Sequence, residues 1–120
     1  MYLVIDPVGR PEVTLDDPAD FTALAVVVLA HPGDLDLGAM LQQWGLLDGT
    51  HAWLHVQRLE DELGRRLGDD PQWPQRFTAM LDYALAHGWL DEHGTTVRAH
   101  VRWQPPTTSE APAGQESAAR

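Results

Sequence analysis

The chain has 120 residues, 43% of them hydrophobic and 22% charged, with a formal net charge of −10. That is the balance of a soluble globular chain with room for one domain. Its acidity argues against nucleic acid and anionic lipid as partners, because both are bound through Lys and Arg. The absence of cysteine excludes a disulfide frame and any thiolate metal site.

The first element is residues 2–6 (YLVID), a short apolar strand, followed by the turn sequence PVGRP at residues 7–11. Residues 12–16 (EVTLD) alternate and form the return arm of a hairpin. Asp17 before Pro18 has the chemistry of a helix start, and Phe21, Leu24, Ala25, Val28 and Leu29 follow helical spacing, so residues 18–30 read as a buried helix. The β-branched run leaves a strand open for residues 24–29. Asp36 caps a short helix with Leu37, Met40, Leu41 and Trp44 on one face, and LLDGT after it is a turn.

Residues 51–68 (HAWLHVQRLEDELGRRLG) read as the clearest helix, with Ala52, Val56, Leu59, Leu63 and Leu67 as its buried stripe and Gly68 as its stop. The next helix starts near residue 73 or 74, because Pro74 belongs in a first turn, and ends at His87 and Gly88. Its apolar stripe is Trp73, Phe77, Met80, Leu81 and Ala84. WLDEHGTT is a hairpin connection with Gly94 at its special φ, and TTVRAHVRW, residues 95–103, is a strand. Residues 105–120 carry no large apolar side chain and are expected to form a disordered tail behind a single domain of residues 1–104.

The charge lies in the body. Residues 1–104 hold 16 acids and 7 arginines, a balance of −9 with histidine neutral. Against that background the last strand is unusual. Val97, Ala99, Val101 and Trp103 point one way, and Arg98, His100 and Arg102 point the other. An antiparallel neighbour at residues 12–16 would set Arg98 and Arg102 opposite Asp16 and Glu12, a ladder worth about 0.2–1 kcal/mol per pair. The functional alternative is an anion or carboxylate site, with the arginines as fork donors around His100.

Other constellations are weaker. His51 and His55 are four residues apart, and on a helix they would share a face, which makes them a candidate metal pair; HAWLH is not HExxH, and zinc asks for at least three protein ligands. Glu60, Asp61 and Glu62 precede Arg65 and Arg66, which predicts Asp61–Arg65 and Glu62–Arg66 pairs on a solvated helix face. Four of the five tryptophans fall on apolar faces or element ends. Trp53 falls off its stripe, and an exposed Trp is a common contact anchor. The only serines are Ser109 and Ser117, and there is no lysine, so the body offers no Ser or Cys nucleophile and no Lys Schiff base.

The predicted helix over residues 74–87 followed by GWLDEHGTTVRAHVRW resembles the recognition helix and wing of a winged-helix domain, over about a third of the chain. That resemblance implies a transcriptional regulator. The charge balance and the single cation on that helix, Arg76, favour another reading.

The expected fold is α+β, with about four helices packed on a small antiparallel sheet formed by an N-terminal hairpin and C-terminal strands. The favoured function is a non-enzymatic protein-interaction or small-ligand-binding module, without cofactor, taking an unknown protein or a small anionic ligand and compatible with homodimer formation. The winged-helix-like regulator comes second. A small cofactor-free enzyme using Asp, Glu or His comes third. No apolar run approaches the roughly 20 residues that span a bilayer. The N-terminus lacks a basic region and meets Asp6 and Pro7 too early for a leader. A cytoplasmic location is therefore expected, and the absence of lysine with abundant Ala, Gly, Asp and Leu suggests a GC-rich bacterial genome.

Overall fold

A computed structural model describes residues 1–105. The elements in chain order are β1 (Tyr2–Ile5), β2 (Val13–Asp16), β3 (Ala25–Val28), α1 (Leu37–Met40), β4 (Gly45–Asp48), β5 (His51–His55), α2 (Val56–Leu67), α3 (Trp73–Ala86) and β6 (Thr96–Trp103). The fold is mixed α+β. Among the described residues it has three helices rather than four, and its sheet is neither small nor purely antiparallel. Six strands lie in the order β2-β1-β3-β6-β5-β4. β1, β3 and β6 run parallel in the middle, and antiparallel partners flank them on both sides. The predicted tail, residues 105–120, lies outside the described residues except for Pro105. Among the described residues no helix is long and apolar enough to cross a membrane.

Three expectations are corrected here. The buried helix over residues 18–30 is absent; residues 25–28 are strand β3, wedged between β1 and β6. β3 is an interior strand and apolar along its whole length, and the run AVVV also satisfies helical spacing. The second correction concerns residues 51–55, which are strand β5 and not the first turns of a helix. Ala52 and Leu54 are buried while His55 is exposed, which is strand alternation, and the helix proper is Val56–Leu67. LLDGT is correspondingly not only a turn: its first three residues belong to β4, and the reversal falls at Gly49 and Thr50. The third correction is the register. β2 is an edge strand beside β1, and both β1 and β3 separate it from β6, so Arg98 and Arg102 do not face Asp16 and Glu12.

The core lies on one face of the sheet. A buried row, Leu15, Leu3, Val26 and Val101, crosses four strands in register. Ala99 and Val97 of β6 pair with Ala52 and Leu54 of β5 in the same layer. Helix α2 buries Leu59 and Leu63 into this layer, and Phe77 and Ala84 of α3 join it. Leu37, Leu41 and Trp44 close it from the α1 segment, where the Asp36 carboxylate caps the helix by accepting from the Ala39 amide. Trp73, Trp89 and Trp103 pack partly buried against the same core.

Glu62 departs from the expected solvated face. It is only 7% exposed, yet three arginines, Arg58, Arg65 and Arg66, surround its carboxylate. Asp61 instead accepts from the Gln57 side chain, so the predicted Asp61–Arg65 pair is replaced by Glu62–Arg65. Arg66 also donates to the Leu15 carbonyl at 2.9 Å, which ties the end of α2 to β2. Arg58 lies over the Trp44 ring, 3.9 Å from its centre. The charged side of α2 is therefore a docking seam.

Candidate binding groove beside Arg98

The opposite face of the sheet carries no buried layer, and its composition is different. One row crosses all six strands in register: Asp16, Tyr2, Ala25, His100, His51 and Asp48. A second row sets Leu46, Trp53 and Arg98 side by side.

Strand lengths create the site. β6 has eight residues and β3 has four, so β3 pairs only with residues 100–103 of β6. Beside the first half of β6, residues 89–90 take the place that β3 leaves. The Arg98 amide donates to the Trp89 carbonyl at 2.6 Å, and Leu90 bridges Val97. Gly88, at φ +76°, turns the chain out of α3 into this position. Two aromatic rings then fix Trp89: His87 stacks on it at 4.7 Å between centroids, and Tyr83 covers His87 at 4.1 Å. The His87 Nδ1 donates to the Tyr83 carbonyl, which holds the imidazole in that stack.

Asp91 locks the turn behind Trp89. Its carboxylate accepts from the Thr95 amide at 2.7 Å, the Thr95 hydroxyl at 2.8 Å and the Thr96 amide at 3.2 Å. The Thr95 hydroxyl above all, with the two amides, pulls the Asp91 carboxyl from its ordinary 3.8 down to about 2. A carboxylate with a depressed folded-state pKa stabilises the fold above its unfolded value and stops doing so as pH falls through the folded one. Asp91→Asn should therefore be less stable than wild type at neutral pH, with the gap closing between about pH 4 and 2. Denaturant melts at pH 7 and pH 2.5 check this; an equal gap at both would show that the charge is irrelevant to the turn.

The other wall is the segment 20–24. The Met1 amine donates to the carbonyls of Asp20 (2.8 Å) and Ala23 (3.0 Å), and Arg76 of α3 donates to the Ala19 carbonyl at 3.0 Å. Arg76 also covers the Phe21 ring, which lies tilted against Phe77. The hydroxyl and amide of Thr22 hold the Asp20 carboxyl below its ordinary value.

Between these walls runs a groove of about 610 Å³. Phe21, Leu24, Met80, Tyr83 and Trp89 give it an apolar and aromatic lining, and Arg98 stands at its sheet end. A smaller hollow of about 210 Å³ adjoins it, lined by Leu24, His51, Trp89, Arg98 and His100. Leu24, Trp89 and Arg98 border both. Among the described residues no Asp or Glu lines either space.

The structure thus separates the residues that the sequence grouped. Arg98 and His100 border the hollow. Arg102 lies beyond His100, opposite Val27, with its guanidinium 5.8 Å from the centre of the Tyr2 ring. His51 does not meet His55. On a strand the two stand roughly 13 Å apart by rise per residue, and the His51 ring instead meets His100 edge-on, with centroids 5.3 Å apart. His55 is exposed at the end of β5, opposite Thr96. Among the described residues no three His, Cys, Asp or Glu side chains form a group that could hold a metal ion. Trp53 is half-buried, opposite Arg98, and donates through Nε1 to Asp48 at 3.2 Å. Sequence reading missed the groove residues Phe21, Leu24, Tyr83 and Trp89 as a set. The available signal was Trp89 directly after the helix-ending Gly88, next to the sequence that returns as β6.

No protein-family model matches the chain, and no solved structure matches it significantly.

Proposed function

We propose that this protein is a non-enzymatic binding module for a small, largely apolar molecule that carries an anionic group. The observation behind this is Arg98. Arg58, Arg65, Arg66 and Arg76 each have a carboxylate within ion-pair distance. Arg98 is half-buried, and among the described residues it has no such partner, on a chain rich in acids. A guanidinium held partly out of water without a counter-charge favours an anion brought by a ligand. The aromatic groove beside it supplies apolar contact for the rest of that molecule, in the size range of small-molecule sites.

The regulator reading would need cations on α3, and its one arginine is tied to Ala19 and Asp70. Nothing in the geometry favours it further.

Titration calorimetry with 2-naphthoate, an aromatic body with one carboxylate, tests the proposal. Saturable binding is expected to the wild-type protein, weakened at least tenfold by Arg98→Gln. Equal affinity of the two forms, with both folded, would remove Arg98 from the site and the proposal with it.

A further inference from the structure

The hollow beside the groove bears on which anion the ligand carries. Resting on the binding reading above, we infer that the hollow takes a phosphoryl group, so that the ligand class is an aromatic or aliphatic phosphate monoester rather than a carboxylate.

One guanidinium and two imidazoles border this one space of about 210 Å³: Arg98 and His100 from β6, and His51 from β5. They come from two strands, with His51 and His100 directly opposite in register and Arg98 two residues along from His100 on the same face. The His51 Nδ1 lies 3.2 Å from the Thr50 hydroxyl, which leaves its Nε2 as the nitrogen for a ligand. A carboxylate is planar, and a single guanidinium fork already matches its two oxygens. A second and third donor from separate directions match a tetrahedral group with three terminal oxygens. A phosphate monoester also carries about −1.5 to −2 charges at neutral pH, more than one guanidinium balances. The nearest acid in the row is Asp48, on the far side of His51 from the hollow, and Trp53 already donates to it.

The shared border fixes how such a molecule lies. Leu24, Trp89 and Arg98 line both spaces, so a phosphoryl head at the histidine pair leaves its organic body in the aromatic groove. The site is then for an ester and not for free phosphate.

The test compares four probes on the intact protein by calorimetry: 2-naphthyl phosphate, 2-naphthoate, 2-naphthol and inorganic phosphate. The ester is expected to bind at least tenfold more tightly than each of the other three. His100→Gln, at an exposed position of the sheet face, is expected to weaken the ester about tenfold and leave naphthoate unchanged; His51→Gln should do the same. Naphthoate binding as tightly as the ester would overturn the phosphoryl assignment while leaving the binding reading intact. Inorganic phosphate binding as tightly as the ester would show a bare anion site and overturn the ester class. No binding of any probe would overturn both readings. Unchanged ester affinity in both histidine variants, with unaltered melting curves, would also overturn the inference.

Discussion

Replacing Phe77 by alanine should lower the stability of the fold by about 3–5 kcal/mol, the usual range for a large aromatic side chain removed from a packed core. Phe77 is 2% exposed, and its ring meets Phe21 at 6.4 Å and Trp73 at 6.3 Å between centroids. It joins α3 to the core and to the segment that forms one wall of the groove. The cavity left by alanine would loosen both, so naphthoate affinity should fall together with stability. Urea unfolding measures the first effect and calorimetry the second. A loss below about 1 kcal/mol would show that α3 collapses onto the gap or docks without this ring.

Gly45→Ala should cost about 1–3 kcal/mol by forced overpacking, although Gly45 lies on an edge strand. A Cβ built there would sit 2.1 Å from the Trp53 carbonyl oxygen and 2.8 Å from the Leu54 Cα. Both are backbone atoms of β5, so no side chain can rotate away to make room. β4 would have to lift from β5, breaking its ladder. Amide hydrogen exchange of β4 and β5 should then quicken more than that of β1 and β3. Unchanged exchange and stability would mean that the close approach relaxes at no cost.

Local pattern carried much of the fold. The N-terminal hairpin, the helix behind Pro74, the Gly94 turn and the apolar side of the last strand all follow from short-range chemistry, and each is present. Two kinds of information were not local. Residues 24–29 are apolar throughout, without the polar alternation that marks a half-covered strand, and that pattern fits two periods equally well. Residues 51–55 were drawn into the following helix because Ala52 and Val56 continue its stripe backwards. Only the presence of β4 and β6 on either side makes them a strand. The site inherited that error. Arg98 and His100 could be singled out, but His51 joins them only through the β5–β6 register, and Trp89 only through the vacancy beside a short β3. Both are consequences of long-range pairing.

The position of β6 has a kinetic consequence. It is the last described strand in the chain, yet it sits third from one edge and is the one strand that joins β2-β1-β3 to β5-β4 among the described residues. Before it inserts, the molecule has two separate ribbons, each with an unpaired interior edge that could pair wrongly or with another chain. Its pairing with β3 joins residues 75 positions apart, such as Ala25 and His100, so loop closure must precede the reward of the contacts. Folding should therefore be late and cooperative, with sheet closure and groove formation as one event. During synthesis the groove cannot exist until residues 96–103 have emerged from the ribosome.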